Sequence, residues 1–403
     1  MQAGESHSSS YGFVVASISF VMIFVTAGSP IPLFNIYQSE YGISNADLGL
    51  VSVAYFIAAA VALLVLGRIS DFIGRKKVAI IALMAAMLSC GLLFLIHGFW
   101  SLFAARLLQG LACGLSAGAL TAFIVDTSSE KLRWLAAVIT SSAPMIGIPI
   151  GAISCGFLIL TGKQNWFLIY ALVGIVLATL ILLISLSRET VLSRKGVIHS
   201  LVPRLYLPKA ANQYVLIASM VFLATWSLGG FYQAYGPALA HHYLGTDNPI
   251  LAALVFAAIM ILTPLGSPLS RFLVAKNAVK TGMFIYILSL ITILISLKFG
   301  FMVAFIVASL CVGLAQGLAV TGAMGVLIQI TDQQNRAGLL STIYLIAYCS
   351  AAIPALISSH FAYSMELLQI GYGYGVLGGV DRKSNTSELQ SPDHLVCRLL
   401  LEK

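Results

Sequence analysis

The amino-acid sequence predicts an all-α polytopic membrane protein built as two six-helix bundles. Of its 403 residues, 59% are hydrophobic and only 9% are charged, and the mean hydropathy is +0.97. A soluble core of this size cannot bury so much apolar surface. Apolar runs of about 20 residues, the length that crosses a bilayer as a helix, recur along nearly the whole chain. We therefore expect the chain to lie in lipid.

About eleven apolar runs are long enough to span the membrane as helices. They lie near 13–37, 46–66, 78–96, 100–125, 134–160, 166–187, 213–238, 250–272, 278–297, 301–330 and 337–362. A twelfth run at 367–380 is rich in glycine and is followed by a polar tail, 381–403. We expect the last helix to be short or truncated, and the tail to lie outside the membrane.

The longest polar interruption, residues 188–212, is basic and divides the chain into an N-terminal bundle, 12–187, and a C-terminal bundle, 213–380. Two short matches lie on either side of it at nearly one offset. The stretch Gly110-Leu-Ala-Cys-Gly-Leu115 in the fourth span corresponds to Gly313-Leu-Ala-Gln-Gly-Leu318 in the tenth. The stretch SDFIGRKKVAI, from Ser70, corresponds to SRFLVAKNAVK, from Ser270. Together they predict an internal duplication and a pseudo-twofold relation between the bundles.

The basic residues lie almost entirely in the loops on one side of the predicted membrane. The other side carries only Lys163 and Lys298. This asymmetry predicts a cytoplasmic N-terminus and contact with anionic lipid headgroups, rather than a nucleic-acid partner. The polar N-terminal segment lacks a signal-peptide pattern, so the first span is expected in the mature protein, with the bacterial inner membrane as the expected location.

The cysteines and the known catalytic patterns give no sign of a metal centre, a cofactor or an enzyme. The chain has six cysteines, which are scattered, and most fall within spans, as buried small apolar residues do. We find no HExxH, GxSxG or P-loop pattern. We expect a monomer without cofactors.

The stretch GRISDFIGRKK, Gly67 to Lys77, gathers an acid and several basic residues between the second and third spans. Gly67 and Asp71 are four residues apart and share a helix face, so a neighbouring helix can approach the glycine while the acid meets a positive helix N-terminus. Gly74 permits a sharp turn, and the bases that follow can meet headgroups or acids. The bland alternative is an anchor that only sets the orientation of the chain.

This stretch resembles the hallmark loop of the major facilitator superfamily, the secondary transporters built as two six-helix bundles. The family pattern is G-x-x-x-D-R/K-x-G-R-R/K-R/K, and only Phe72 departs from it. The resemblance covers about residues 12–380. It implies that Asp71 docks near Arg336 to Gly338, and that the loop forms a cytoplasmic latch when the transporter opens outward. The residues of this latch are Gly67, Asp71, Gly74, Arg75, Lys76 and Asp126, with Arg75 paired to Asp126.

Arg106 is the one charged residue well inside a span, about 9 Å into the fourth helix. Charges at such depth indicate function, although an arginine can also extend to the outer interface. Gln109 shares its helix face, and Gly110 and Gly114 offer small-residue packing. The stretch resembles the family's R-x-x-x-G motif, which implies a role for Arg106 in proton coupling.

In the fifth span, Pro144 and Gly147 resemble part of the Gly-Pro motif of the drug/proton antiporter branch of the family, whose core reads G-P-x-x-G-G. Two of the glycines of that core are missing here. The resemblance implies an antiporter hinge, and ordinary proline kinks are an equal alternative.

Broken helices with polar and aromatic groups predict the lining of a substrate path. The first span ends around Pro30 and Pro32, and the seventh carries a Gly-Gly pair. Interfacial aromatic belts explain some of these side chains equally well. The predicted path residues are Asn35, Tyr37, Trp226, Tyr232, Gln233, Tyr235, Gln316 and Tyr344.

These features predict a secondary transporter of small organic molecules that works by alternating access, with proton-coupled efflux as the leading interpretation. No carboxylate lies in the middle of a span. The cavity therefore suits amphipathic or weakly anionic compounds. Two alternatives stay open at this point: uptake of a small organic anion bound by Arg106, and a membrane receptor or scaffold that does not transport.

Overall fold

A computed structural model describes residues 2–162, 165–203, 205–207, 212–333 and 335–388, and in these residues the regular structure is helical. The helices of the N-terminal half are α1 (Gln2–Gly28), α2 (Phe34–Tyr41), α3 (Asn45–Val61), α4 (Ser70–Ile73), α5 (Arg75–Phe94), α6 (Phe99–Thr127), α7 (Arg133–Leu160) and α8 (Leu168–Leu186). The linker carries α9 (Val197–Ser200). The C-terminal half contains α10 (Asn212–His242), α11 (Pro249–Ile261), α12 (Thr263–Leu269), α13 (Ala275–Phe299), α14 (Met302–Gln329), α15 (Arg336–Phe361) and α16 (Leu367–Glu388).

Within the described residues, 11 helical segments are long and apolar enough to cross a membrane. They match the apolar runs of the sequence to within a few residues, because the length of an apolar run decides whether a helix can span the bilayer. Because consecutive spans run in opposite directions, the loops lie alternately at the two ends of the molecule. We call the end with the 67–77 loop and the 188–212 linker the basic end, and the other the opposite end.

The first span is interrupted where proline removes a backbone donor, and the second at a π-helical turn that contains no proline. Helix α1 ends at Gly28, and a 3₁₀ turn, Ile31–Leu33, containing Pro32 separates it from α2. In the second span, a π-helical turn, Ala62–Leu66, follows α3. Turns of this kind leave backbone groups free for partners on other helices.

The last helix extends further than the sequence predicts. We expected it to end near 380, but α16 continues to Glu388, into the segment assigned to the polar tail. It packs against α10 and α13, and Gly378 lies against Leu290 and Tyr286. It is not among the 11 apolar spans, since its second half is polar. Residues 389–403 of the predicted tail lie outside the described residues.

Glycines on α6 allow it to pack closely against α3. A Cβ atom at Gly114 would lie 2.5 Å from the Ala59 carbonyl oxygen and 2.6 Å from the Ala62 Cβ, and a Cβ at Gly110 would clash with the Tyr55 carbonyl. In the second half, Gly313 and Gly317 on α14 meet the carbonyls of Ile259 and Thr263 in the same way. The glycine pairs matched in the sequence thus occupy equivalent positions in the two bundles.

Replacing Gly114 with alanine should destabilise the N-terminal bundle. The added methyl group has no space between α6 and α3, and overpacking of this kind costs about 1–3 kcal/mol. We expect a lower midpoint of thermal unfolding in detergent. Gly174→Ala on α8 is the matched control, since a Cβ there meets nothing within 4 Å. Equal midpoints for the two variants would contradict the packing argument.

Candidate functional site

Arg106 is completely buried on α6 and is held by polar groups of α1 and α6. Its Nη1 donates to the carbonyl oxygen of Ala27 and to Oε1 of Gln109, both at 2.9 Å. Gln109 in turn donates from Nε2 to the carbonyl oxygen of Thr26, also at 2.9 Å. The two side chains predicted to share a face therefore act as one unit, and Arg106 does not extend to the interface.

The acceptors for this unit exist because α1 breaks. Helix α1 ends at Gly28, and in a continuous helix the N–H of residue 30 would bond the Thr26 carbonyl. Residue 30 is proline and has no N–H. The Thr26 carbonyl therefore accepts from Gln109 and from the Ser29 hydroxyl, and the Ala27 carbonyl, in the last turn of α1, accepts from Arg106, so the helix break helps to form the site.

The guanidinium group keeps one edge free. Among the described residues, no acceptor lies within hydrogen-bonding distance of the buried Nε and Nη2 atoms of Arg106. Arg106 is also the only buried Lys, Arg, Asp or Glu side chain in the part of the chain for which burial is described. The site is thus a buried positive charge without a carboxylate partner.

The ring of Tyr55, on α3, lies against the guanidinium group, with 4.5 Å between the Arg106 Cζ atom and the ring centroid. This is a cation–π contact, which partly compensates the buried charge. The Tyr55 hydroxyl donates to Cys113 Sγ at 3.5 Å. Tyr55 was not predicted as a site residue, because nothing in the sequence distinguishes it from the other tyrosines within spans.

The aromatic path residues of α10 lie in two places, Trp226 beside Tyr348, and Tyr232 and Tyr235 beside Phe231, and the two tyrosines are hydrogen-bonded. Trp226 packs edge-on against Tyr348 of α15, with 5.2 Å between ring centroids. Tyr348 lies on α15, which packs against α3, the helix that carries Tyr55, so the pair belongs to the part of the second bundle that lies against the helix of Tyr55. Tyr232 bonds Ser309 at 2.6 Å, and Tyr235 bonds Ser358 at 3.2 Å.

The remaining path candidates are spread over the molecule. Asn35 donates to the Pro237 carbonyl at 2.9 Å, and Gln233 is buried on α10. Tyr37 bonds Tyr170 at 2.6 Å inside the N-terminal bundle. Gln316 is half-buried on α14, and Tyr344 on α15 is 43% exposed. The hydroxyl groups of Tyr37 and Tyr232 are hydrogen-bonded within their own bundles in this conformation, and their position on a substrate path stays a prediction.

The charged loop forms ion pairs inside the N-terminal half. Arg75 lies 2.5 Å from Asp71 through Nη1 and 2.9 Å from Asp126 through Nε. Gly74 adopts a φ of 109°, which favours glycine and turns the chain into α5. A Cβ at Gly118 of α6 would lie 2.9 Å from the Gly67 Cα, so the loop approaches α6 closely. The docking of Asp71 on the start of α15 concerns the other conformation and stays a prediction.

Glu189 is a functional candidate that sequence analysis missed. Its carboxylate accepts from the backbone N–H groups of Arg75 at 2.8 Å and Lys76 at 3.1 Å, at the start of α5. These N–H groups have no acceptor within the helix, and the helix N-terminus favours a negative charge. Lys76 Nζ donates in return to the carbonyls of Ser185 and Ser187. The signal in the sequence was an acid directly after the sixth span, on the side of the loop.

The linker lies on both halves at the basic end. The Arg194 N–H donates to the Phe72 carbonyl at 2.7 Å. Further along, the Tyr206 N–H donates to Thr342 Oγ1 at 3.0 Å and to the Gly338 carbonyl at 3.3 Å, near the start of α15. The linker therefore contacts both the loop and the helix that the resemblance pairs with it.

The two halves meet closely at the opposite end. A Cβ at Gly49 of α3 would lie 2.5 Å from the Ser359 Cβ on α15 and 2.9 Å from the Tyr235 hydroxyl. A Cβ at Gly156 of α7 would lie 2.8 Å from the Pro249 carbonyl on α11. Contacts thin out toward the basic end, where the π-helical turn barely touches α15 and α12 barely touches α7. We call the contacts between the halves, which are closest at Gly49 and Gly156, the seam.

The predicted hinge residues lie on α7, which joins the core of its bundle to the seam. Pro144 and Pro149 lie inside this helix, and Gly147 lets it approach α1, where a Cβ would fall 2.6 Å from the Val21 carbonyl. The hinge role itself stays a prediction.

The helices form a polytopic membrane fold of two bundles, and the buried charge of Arg106 lies beside α3, a helix that packs against the second bundle. The chain belongs to the Major Facilitator Superfamily, whose profile matches residues 15–356.

Two solved structures share the fold over nearly the whole chain. The nucleoside transporter NupG superposes with a TM-score of 0.71, at 14% identity, over 93% of this chain and 99% of its own. A bacterial homologue of the human lysosomal transporter Spinster, in an inward-facing and unoccupied conformation, has a TM-score of 0.73, also at 14% identity, over 94% and 96% of the two chains. At these identities the similarity establishes the fold alone.

Among curated proteins, the chain is similar to quinolone resistance protein NorA of Staphylococcus aureus. The protein of strain MRSA252 is 25% identical over 132 residues, and that of strain MSSA476 is 26% identical over the same length. The match spans 32% of this chain and 34% of NorA, about a third of each protein.

Removing the Glu189 carboxylate should loosen the charged loop. We expect Glu189→Ala to lower the free energy of unfolding by about 0.5–2 kcal/mol, the usual range for losing a helix N-cap. Thermal unfolding in detergent measures the change. Glu130→Ala, at an exposed acid of the same end, is the control. If both variants unfold at the wild-type temperature, Glu189 does not hold the loop.

A tryptophan at Gly49 should keep the seam from closing. The side chain has no space between α3, Ser359 and Tyr235, so we expect the halves to separate at the opposite end. Spin labels at positions 40 and 242, in a background without native cysteines, would report longer distances by pulsed electron paramagnetic resonance. Ile57→Trp, on an exposed face of the same helix, should leave the distances unchanged. An unchanged distance in Gly49→Trp would disprove this assignment of the seam.

Proposed function

We propose that this protein exports small organic molecules across the bacterial inner membrane in exchange for protons, by alternating access. The observation that carries the proposal is the seam, which joins the halves at the opposite end and thins out toward the basic end. With the basic end in the cytoplasm, as loop charge predicts, the substrate site opens inward. Export is favoured by the similarity to NorA, a quinolone resistance protein.

The charged loop would act as the latch of the outward-open state. In the present conformation its charges pair within the N-terminal half, through Asp71, Arg75 and Asp126. The start of α15 is contacted by the linker at Tyr206. Closing the basic end would let Asp71 exchange its partner Arg75 for the positive N-terminus of α15. The two states would thus differ by an exchange of partners rather than by the loss of a charge pair.

Arg106 would couple substrate to protons without itself losing a proton, because guanidinium stays protonated at every physiological pH. Its part would be electrostatic, since the buried positive charge changes how readily an anion or a proton enters the site. A second candidate function, uptake of a small organic anion, is favoured by the free edge of Arg106.

Proteoliposomes that contain the purified protein test the coupling. We expect an imposed pH gradient, inside acidic, to drive accumulation of at least one compound of a lipophilic panel, and a protonophore to abolish it. Asp71→Asn should slow this transport, because the outward-open state loses its latch. Asp332→Asn, at an exposed acid of the basic end, is the control. If a compound is transported at the same rate with and without the pH gradient, proton coupling is overturned. If folded protein transports none of the compounds, the export proposal is overturned.

A further inference from the structure

We infer that the substrate carries a carboxylate group, which Arg106 binds through its Nε and Nη2 atoms. The inference rests on the proposed transport function, and it names the chemical class of the transported molecule. It is independent of the direction of transport and of the coupling ion.

The free atoms of Arg106 are the pair suited to one carboxylate. Nη1 is already used by the Ala27 carbonyl and Gln109, each at 2.9 Å. Nε and Nη2 are buried, and among the described residues they have no hydrogen-bond partner. The N–H groups of these two atoms lie on the same edge of the planar guanidinium and point in parallel. A carboxylate has two oxygens and can accept from both donors at once, whereas a hydroxyl or an amide offers a single oxygen to the two donors.

The positive charge of the site also favours molecules that carry a carboxylate. A buried charge without a partner is unfavourable, and the first anion to reach it gains the full attraction. The acids of the chain lie at the ends of the spans, in loops or in the tails, so no protein carboxylate competes at this depth. The same field repels cations. We therefore expect the protein to discriminate against organic cations, which need an acid inside the membrane.

The surrounding side chains suit an aromatic body attached to the carboxylate. Tyr55 lies against the guanidinium, and Trp226 and Tyr348 form an edge-on pair on the second half. Tyr55 is on α3 and Tyr348 on α15, two helices that meet along the seam. Movement of these helices during transport would open the buried edge of Arg106 to a molecule lying between the aromatic rings.

A naphthalene series with one ring system and three charges tests the inference on the intact protein. The probes are 2-naphthoate, 2-naphthamide and 2-naphthylmethylammonium, and their dissociation constants are measured in detergent at pH 7.5 by isothermal titration calorimetry. We expect 2-naphthoate to bind at least about tenfold more tightly than the amide, because hydrogen bonds to a charged group are the stronger ones. The ammonium compound should bind most weakly. Equal affinities for the three probes would overturn the inference.

Two variants separate the edge of the guanidinium from its charge. Arg106→Lys keeps the positive charge but loses the paired donors, so the affinity for 2-naphthoate should fall at least about tenfold while that for the amide stays the same. Arg106→Gln should bind the two equally. Arg133→Lys, at an exposed arginine of the basic end, is the matched control. A parallel loss of affinity for all three probes in Arg106→Lys would indicate structural damage and would contradict the assignment.

Competition and transport distinguish the remaining outcomes. Acetate should displace 2-naphthoate at concentrations where chloride, at equal ionic strength, does not; equal displacement would make the edge a site for inorganic anions and overturn the carboxylate assignment. In proteoliposomes, transport of the amide or the ammonium compound in preference to 2-naphthoate would refute the substrate class while leaving the transport function intact. Tight binding of 2-naphthoate without movement of any compound would refute the transport function instead.

Discussion

A positive charge buried inside the membrane without a carboxylate partner is the constraint on which the site depends. Arg106 can lie there because other groups compensate it: two acceptors on Nη1 and the face of Tyr55. One of these acceptors is a backbone carbonyl near the end of α1, and Gln109 is itself held by the Thr26 carbonyl, which Pro30 leaves without its helical donor. The proline that breaks the first helix and the arginine of the fourth thus belong to one structural solution.

Glycines allow the helices around Arg106 to pack closely enough to form the site. Because Gly110 and Gly114 bring α6 against α3, Tyr55 comes within reach of Arg106. Gly147 brings α7 against α1 in a similar way. In a bilayer, helices gain little from burying apolar surface against one another, so close backbone packing and hydrogen bonds hold the bundle together. The same glycine pair recurs in the second half at Gly313 and Gly317, whereas no arginine occupies the corresponding position there.

The sequence could predict the spans, the two halves and the depth of Arg106, because lipid imposes length and composition on every helix. It could not predict which aromatic side chains face the interface. Tyr37, Tyr232 and Trp226 all lie in spans that combine polar and aromatic residues. Tyr37 and Tyr232 nevertheless form hydrogen bonds within their own bundles, because the rotation of a helix about its axis depends on the helices packed around it. Glu189 was missed for a related reason: its role arises from a backbone end more than a hundred residues away. The end of α16 was predicted too early because a helix can continue after its apolar residues stop.

The seam and the charged loop together indicate how the two states can be close in free energy. At the opposite end the halves meet through small residues and through the hydrogen bond from Asn35 to the Pro237 carbonyl. At the basic end, Arg75 forms ion pairs with both Asp71 and Asp126 within one half, so separating the halves there breaks neither of these ion pairs. A conformational equilibrium that a substrate can shift requires a difference of only a few kcal/mol between states. Small residues hold the halves together at the opposite end, and the ion pairs of the basic end lie within one half, so both arrangements meet that requirement. Binding of a substrate at the free edge of Arg106 can then shift the equilibrium between the two states.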